Sequence, residues 1–276
     1  MPSVPIDAVE VREIALPFRT PFVTAYGRLT ERRLILVRLR GDGLEGWGEC
    51  APVPGYSAET IEGAWDALTG SAASILAGLD SNRPEDAATV VATMGGQTSA
   101  RAAVEAAVWD LHAKAKGVPL WRGLGGVRDR VPAGAVVDLA DPPQALPELV
   151  GGLLEAGYLR VKLKISPGDD LGRLEAVRSA FPRADLCADA NGAYSEADFD
   201  HLAGFDAFDL GYLEQPLAAG DLTGHARLAD RITTPICLDE SIDGAERARR
   251  ALASGAARII NLKAGRVGGV TQALAV

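Results

Sequence analysis

Five charged residues recur along the second half of this chain at nearly constant spacing. They are Lys164, Asp189, Glu214, Asp239 and Lys263, and neighbours in this series stand 24 or 25 residues apart. Each closes or follows a short apolar run typical of a β-strand, and helical patterns fill the intervals between the runs. A recurring unit of this length predicts repeated strand–helix pairs, which build a parallel sheet.

The C-terminal ends of parallel strands form the active-site face of a (β/α)₈ barrel. Three carboxylates on neighbouring strands would repel each other there unless a cation lay between them. Oxygen ligands without His or Cys suit Mg²⁺, which keeps positions for water or substrate. We therefore predict that Asp189, Glu214 and Asp239 bind Mg²⁺, with Mn²⁺ as an alternative. The lysines on the outer strands would flank whatever the metal holds.

Each of these groups also has a plainer interpretation. A single acidic residue at a strand end is more often a solvated charge than a metal ligand. The run from Arg160 to Ile165 alternates lysines with apolar residues, as an exposed edge strand would. The constant spacing, together with Asp-x-Asn, Glu-Gln-Pro and Asp-Glu-Ser around the three carboxylates, favours a metal site.

The composition of the 276-residue chain is that of a globular protein, with 47% hydrophobic and 24% charged residues. Its formal net charge of −9 argues against nucleic acid as a partner, because nucleic-acid-binding domains carry basic patches. We see no apolar run long enough for a membrane span, and the first residues lack the pattern of a signal peptide. A low, odd number of cysteines fits a reducing compartment, so the predicted location is the cytoplasm.

The cysteines and histidines are interpreted as structural residues. Cys187 and Cys237 each stand two residues before a predicted ligand, and buried packing thiols are the favoured interpretation. The histidines lie in helical patterns away from the strand ends, and we assign them surface or packing roles rather than metal binding. They are His112, His201 and His225.

Two domains are predicted. Residues 1–126 contain strands followed by helices, which is typical of a separate α+β domain. Two of its loops, at 19–27 and 50–57, are rich in Pro, Gly, Phe and Tyr and are interpreted as substrate-covering loops. Residues 127–276 contain the strand–helix repeats and carry the metal site.

The repeats number about six, whereas a closed barrel needs eight. The predicted fold is therefore an α/β, (β/α)₈-type barrel that is C-terminally incomplete, with an N-terminal α+β capping domain. We expect a truncated barrel of this kind to have exposed sheet edges, weak stability and a tendency to pair with a second copy. A homo-oligomer, and a swapped or shortened barrel, are the alternatives.

Motifs along nearly the whole chain, in order, resemble those of the enolase superfamily, in the muconate-lactonizing subgroup with a lysine on either side of the metal. In the capping domain the matching segments are Gly46–Pro52 and Ala106–Gly117. In the barrel they are Val161-Lys-Leu-Lys164, Asp189-Ala-Asn191, Glu214-Gln-Pro216, Asp239-Glu-Ser241 and Asn261-Leu-Lys263.

This resemblance implies a mechanism. Lys164 would remove a proton α to a carboxylate of a small-molecule substrate, and Lys162 would support it from the same face of the strand. Lys263 would lie across the site from them. The negative charge that develops on the substrate would be stabilised by Mg²⁺. Further supporting residues are predicted to be Asn191, Glu240 and Arg266.

Within the subgroup, the segments 235–241 and 263–269 are similar to o-succinylbenzoate synthases and N-succinylamino acid racemases. The resemblance therefore implies a lyase of menaquinone biosynthesis, which dehydrates its substrate after proton abstraction. A racemase or other epimerase on the same scaffold is the alternative. A third alternative, from another class, is an inactive or dimer-dependent fragment.

Overall fold

The computed structural model describes most of the chain, namely residues 4–24, 27–53, 57–72, 75 and 79–276. Antiparallel strands and helices come first, and parallel strands that alternate with helices follow. Within these residues, no helix is both long enough and apolar enough to cross a bilayer. The order of elements is the one expected for an α+β region followed by strand–helix repeats.

The chain divides into two compact units. The first contains residues 1–19, 30–129 and 262–276, and the second contains residues 20–29 and 130–261. This division differs from the predicted domains, 1–126 and 127–276, mainly in the segments 20–29 and 262–276. Residues 20–29 are grouped with the second unit and residues 262–276 with the first, because each segment contacts residues far away in sequence. Local sequence patterns do not reveal such contacts.

The first unit contains an antiparallel sheet with the order β1-β2-β3. Its strands are β1 (Ala8–Thr24), β2 (Gly27–Gly41) and β3 (Leu44–Cys50), and the tip of the first two belongs to the second unit. Strands β2 and β3 form an antiparallel hairpin, with Gly41 opposite Leu44.

The predicted loop at 19–27 is wrong for its described residues. Strand β1 continues to Thr24 and β2 begins at Gly27, while residues 25 and 26 lie outside the described part of the chain. Thr20, Phe22 and Val23 are β-branched or aromatic and favour an extended backbone, which explains the longer strand. In the second predicted loop, residues 51–53 have no regular structure, and residues 54–56 lie outside the described part.

Six helices of the first unit lie in the described part of the chain. Thr60 caps the first of them, because its side chain accepts the Gly63 N–H at 3.0 Å. The helices are α1 (Ile61–Gly70), α2 (Ala87–Val91), α3 (Thr98–Ala115), α4 (Leu120–Gly123), α10 (Ala264–Val267) and α11 (Val270–Ala275). The longest of these is α3, which is rich in Ala.

Strand β3 packs very closely against α3. A Cβ atom on Gly48 would lie 1.8 Å from the Ala103 carbonyl oxygen, and one on Gly46 would lie 2.1 Å from that of Ala107. The Trp47 N–H donates to the Asp110 carboxylate at 2.9 Å across the same contact. The Gly-Trp-Gly motif therefore has a structural reason, because only glycine permits this approach of strand and helix.

The end of the chain is tied to the same helix, within the first unit. Glu105 is fully buried in α3, and its carboxylate accepts the Thr271 N–H at 2.8 Å and the Thr271 hydroxyl. Gly269 has a φ of 136°, and a Cβ atom there would lie 1.6 Å from Glu105 Oε2. These contacts explain why residues 262–276 are grouped with the first unit.

The second unit contains a six-stranded parallel sheet with the order β4-β5-β6-β7-β8-β9. Its strands are β4 (Gly134–Val137), β5 (Arg160–Lys164), β6 (Asp185–Asp189), β7 (Leu213–Glu214), β8 (Ile236–Leu238) and β9 (Ile259–Ile260). Its helices are α5 (Leu146–Glu155), α6 (Leu171–Ala180), α7 (Phe199–Ala203), α8 (Leu222–Ala229) and α9 (Ala245–Ala253). The parallel sheet and the antiparallel capping sheet confirm the predicted α/β architecture.

Short 3₁₀ helices occur in both units, at Pro84–Asp86, Ala92–Met94, Pro143–Ala145, Glu196–Asp198 and Gly204–Phe208. The core of the second unit is apolar and continuous through the strands, as expected for a sheet covered by helices. Val161, Leu163, Leu186, Ala188 and Leu213 are all fully buried. This packing holds the strand ends in place, and the candidate site stands on them.

Candidate active site

Lys164, Asp189 and Glu214 lie side by side at the C-terminal ends of three neighbouring strands. The register pairs Lys164 with Asp189, and Asp189 with Glu214. Asp239 follows directly after the last residue of β8, the next strand in the sheet. The constant spacing in sequence therefore corresponds to one position repeated across β5, β6 and β7, whereas on β8 that position is Cys237 and Asp239 lies two residues further along.

Two lysines of β5 bind the carboxylates of β6 and β7. Lys162 Nζ lies 3.0 Å from Asp189 Oδ2 and 2.8 Å from Glu214 Oε2. Lys164 Nζ lies 2.7 Å from the same Asp189 oxygen and also donates to Asn191 Oδ1 at 2.5 Å. The Lys162 side chain is 15% exposed and that of Lys164 9%, so both ammonium groups lie in a largely dry environment.

Burial and charge oppose each other in this cluster. Burial alone would lower the pKa of Lys162, but the carboxylates of Asp189 and Glu214 outweigh it and raise that pKa above its ordinary value. Burial alone would raise the pKa of Asp189, but the ammonium groups of Lys164 and Lys162 hold it below its ordinary value. Lys162 is therefore protonated and Asp189 is ionised at neutral pH.

Amide side chains complete the cluster. Asn191 Nδ2 donates to Glu240 Oε1 at 2.9 Å, and Asn261 Nδ2 donates to Glu214 Oε1 at 2.8 Å. Burial, followed by the nearby charge of Asp239, raises the pKa of Glu240. Asn191 and Glu240 thus lie where the sequence predicted supporting residues, whereas Asn261 was noticed only as part of a motif.

The metal hypothesis can be tested against these side chains. Across the described residues, no group of three or more His, Cys, Asp or Glu side chains is arranged to hold a metal ion, and the Lys162 ammonium lies between two of the predicted ligands. The donor chemistry nevertheless fits Mg²⁺: Asp189, Glu214 and Asp239 supply hard oxygens and are at most 1% exposed. Three buried negative charges beside two ammonium groups favour a further cation.

Lys263 and Arg266 belong to the first unit and not to the unit that carries the cluster. Lys263 immediately precedes α10, is exposed, and its carbonyl accepts the Arg266 N–H at 3.0 Å. Their predicted roles at the site stay predictions.

Gln215 is a residue that the sequence analysis missed. It is fully buried directly after β7, and its Oε1 atom accepts the Asp239 and Ser241 N–H groups, both at 3.1 Å. Its Nε2 atom donates to Ser241 Oγ at 2.8 Å and to the Leu217 carbonyl at 2.9 Å. The Glu-Gln-Pro motif was the available signal, but only its acidic residue was assigned a role.

The cysteines and histidines are placed as follows. Cys50, Cys187 and Cys237 are buried free thiols, and burial raises the pKa of Cys187 to about 12. His201 is exposed, whereas His112 and His225 are buried. His225 contacts Gln215, so it takes part in the arrangement behind the strand ends.

Two protein-family models match the sequence. The model for the mandelate racemase / muconate lactonizing enzyme N-terminal domain matches residues 6–125, and the enolase C-terminal domain-like model matches residues 145–276. The chain belongs to the enolase superfamily. The resemblance to the enolase superfamily is therefore confirmed over residues 6–125 and 145–276.

Curated enolase-superfamily proteins align with almost the whole chain. An N-succinylamino acid racemase of Thermus thermophilus is 45% identical over 273 residues, which cover 98% of this chain and 74% of the relative. An o-succinylbenzoate synthase of Geobacillus kaustophilus is 40% identical and covers 98% of this chain and 73% of the relative. Both activities named in the sequence analysis thus occur among similar proteins.

Solved structures of the superfamily show the same fold. A Listeria innocua member is 36% identical, with a TM-score of 0.92 over 98% of this chain and 74% of that chain. A muconate lactonizing enzyme of Pseudomonas fluorescens, solved with muconolactone, is 29% identical, with a TM-score of 0.91 over 99% of this chain and 76% of that chain. These similarities confirm the predicted (β/α)₈-type barrel with a capping domain.

Proposed function

We propose that this chain is a Mg²⁺-dependent carbon–oxygen lyase of the o-succinylbenzoate synthase type, in which Lys164 is the base. The observation that carries the proposal is the buried contact of Lys162 and Lys164 with Asp189 and Glu214 at adjacent strand ends. The 40% identical Geobacillus kaustophilus synthase supports this reaction class.

The two lysines have different tasks in this proposal. Lys162 keeps its proton, because the neighbouring carboxylates raise its pKa, and it supplies a fixed positive charge. Lys164, one position further along the same face of β5, receives the α-proton of the substrate on Nζ. Asn191 orients Lys164 by accepting a hydrogen bond from Nζ.

Asp189, Glu214 and Asp239 would hold the divalent cation. When bound, Mg²⁺ or Mn²⁺ neutralises the negative charge that develops on the substrate carboxylate. Lys164 takes the α-proton, and the electron pair of the C–H bond is delocalised into the substrate carboxylate as an enediolate. This pair then forms the C=C bond as the C–O bond to the leaving hydroxyl breaks. The hydroxide takes the proton that Lys164 received and leaves as water, so the amine is regenerated and the products are water and an alkene conjugated with the carboxylate, or an aromatic ring.

Racemisation is the second candidate function, and the 45% identical Thermus thermophilus racemase favours it. In this reaction Lys164 and Lys263 exchange protons with opposite faces of the α-carbon. Arg266, three residues after Lys263 in the sequence, would support Lys263 in this exchange. The two activities share the first step and differ in the fate of the carbanion.

The decisive experiment assays the purified chain with Mg²⁺ on the synthase substrate and on N-succinylamino acids in D₂O. We expect dehydration of the former and exchange of the α-proton for deuterium in the latter. Absence of both reactions would reject the proposed function, and exchange without dehydration would leave the racemase alone.

We also infer a small-molecule carboxylate as the partner, with no role for nucleic acid, and a reducing cytoplasm as the location. The three buried free thiols support the location, since none is paired in a disulfide. Homo-oligomerisation stays a prediction, and size-exclusion chromatography with light scattering tests it.

A further inference from the structure

We propose that Gln215 and His225 are positioning residues that hold the backbone of Asp239, and thereby set the affinity of the site for a divalent cation. The proposal rests on the proposed function in one respect, because it takes Asp239 as a cation ligand. Neither residue is itself proposed to touch metal or substrate. Their effect would pass through hydrogen bonds behind the strand ends.

The Gln215 carboxamide has only one orientation that fits its surroundings. Its oxygen accepts two backbone N–H groups, those of Asp239 and Ser241, while its nitrogen donates to Ser241 Oγ and the Leu217 carbonyl. These four bonds use both lone pairs and both N–H groups of the amide. Flipping the amide would set its NH₂ group against two N–H donors, so the orientation is determined by chemistry.

The backbone of Gln215 is also unusual. Its φ of 40° lies in the left-handed region, which side chains with a Cβ atom rarely adopt. Such a conformation persists where the surroundings over-determine it, and it is common at functional sites. Here the four hydrogen bonds of the carboxamide hold this backbone conformation. Gln215 lies directly between Glu214 and the turn that carries Asp239.

His225 on α8 supports this arrangement from behind. Its Nδ1 atom lies 2.6 Å from the Asp221 carbonyl oxygen, which can only accept a hydrogen bond, so Nδ1 carries the proton. Nε2 accepts the Leu217 N–H at 3.2 Å and lies 3.5 Å from the Gln215 nitrogen. The fully buried imidazole is therefore neutral, with the lone pair of Nε2 accepting the Leu217 N–H.

The burial of His225 lowers its pKa, in agreement with this tautomer. A second proton, on Nε2, would face the Leu217 N–H and the Gln215 amide and would disrupt both contacts. The network thus joins α8, the end of β7 and the turn after β8 through neutral groups only. Glu214 and Asp239 stand on the two segments that it joins, so it sets the distance between two proposed ligands.

The affinity of the 276-residue chain for Mn²⁺ tests the proposal, with titration calorimetry as the readout. We expect Gln215→Ala to weaken binding by roughly 10–100-fold, the usual effect of losing a residue that orients a ligand. His225→Phe, which removes the acceptor, should weaken it by roughly tenfold, whereas His225→Gln restores an acceptor and should recover most of the affinity. His201→Phe, the same change at an exposed histidine of the same unit, is the matched control.

A spectroscopic measurement is independent of how stable the variants are. In the unsubstituted chain, ¹⁵N NMR of His225 should show a protonated Nδ1 and an unprotonated Nε2 at neutral pH. Gln215→Glu replaces the donor that faces Nε2 by a carboxylate oxygen, and it should shift His225 towards the doubly protonated ring. A protonated Nε2 in the unsubstituted chain would overturn the proposal.

The outcomes separate this inference from the proposed function. If the unsubstituted chain binds Mn²⁺ and the Gln215 and His225 variants bind it equally well, the inference is wrong and the proposed function survives. If the unsubstituted chain binds no Mn²⁺, both are rejected. Loss of affinity in Gln215→Ala and His225→Phe, with recovery in His225→Gln and no change in His201→Phe, supports the inference.

Discussion

Two buried polar networks stand at the strand ends of the second unit, and they are built on opposite principles. The first is charged: Lys162 and Lys164 bind Asp189 and Glu214 at 2.7–3.0 Å. The second is neutral: Gln215 and His225 use amide, imidazole and backbone groups. Both are almost completely shielded from water, so each must satisfy its polar groups internally.

The charged network depends on counter-charges that can be replaced. Its lysine nitrogens stand on long side chains with several rotatable bonds, and a divalent cation could take over their role toward the carboxylates. The neutral network has no such freedom, because its hydrogen bonds are saturated and directional. Under the proposed function, reactivity and geometry are assigned to different residues: the charged groups carry the chemistry, and the neutral groups hold the backbone in place.

Of the experiments that test this comparison, removal of divalent cations should change the activity most. If the charged network is a cation site, treatment with a chelator reduces activity to background, and added Mg²⁺ or Mn²⁺ restores it. The neutral network should remain intact, so the ¹⁵N signature of His225 should not change on chelation. Full activity after exhaustive chelation, checked by metal analysis, would contradict the assignment of Asp189, Glu214 and Asp239.

Substitution of the proposed base should come next. We expect Lys164→Ala to reduce kcat/KM by about 10²–10⁴-fold, the usual contribution of a general base. Mn²⁺ affinity should change little, because Lys164 is not a proposed ligand. Retention of more than about a tenth of the activity would show that another group removes the proton.

Arg266 tests the proposed role of Lys263. Arg266→Gln should reduce racemisation more than dehydration, because only racemisation uses Lys263 in a proton transfer. Dehydration should be nearly unaffected, since it needs no second base. Measurement of kcat/KM for both reactions decides, and equal losses would remove the special role of Arg266.

The smallest expected effect concerns a third polar cluster. It contains a buried carboxylate, as the first network does, and directional hydrogen bonds, as the second does. The Asp170 carboxylate is buried and accepts hydrogen bonds from Tyr194 Oη at 2.6 Å, His201 Nε2 at 2.7 Å and the Leu171 N–H at 2.6 Å. Burial would raise its pKa, but these bonds outweigh burial and hold the pKa below its ordinary value. The contribution to stability is therefore present above the ordinary pKa of Asp and is lost as pH falls through the folded-state value.

Asp170→Asn should accordingly lower the free energy of unfolding by about 1–3 kcal/mol at neutral pH. The difference from the unsubstituted chain should shrink as the pH falls below about 4, where the carboxylate is protonated in the unfolded chain. Urea unfolding at several pH values measures this. A difference that does not depend on pH would mean that shape, and not charge, determines the role of Asp170.

The sequence by itself determined the fold class and the position of the principal charged residues. Strand–helix units of nearly equal length place Lys164, Asp189 and Glu214 at equivalent strand ends, and the register confirms this. Side chains two residues apart on a strand share a face, which also brought Lys162 to the same cluster. These properties depend on local periodicity, and local periodicity can be read along a chain.

Only the tertiary structure decided which groups are partners. Lys162 reaches Glu214 two strands away, Gln215 accepts from the backbone of Asp239, and Lys263 is grouped with the capping unit through its own segment of chain. The extension of β1 to Thr24 also involves a long-range contact, because the Val23 N–H donates to the Asp138 carboxylate, 115 residues further along the chain. Such contacts depend on sheet twist, side-chain rotamers and long-range packing, which residue types and spacing do not specify.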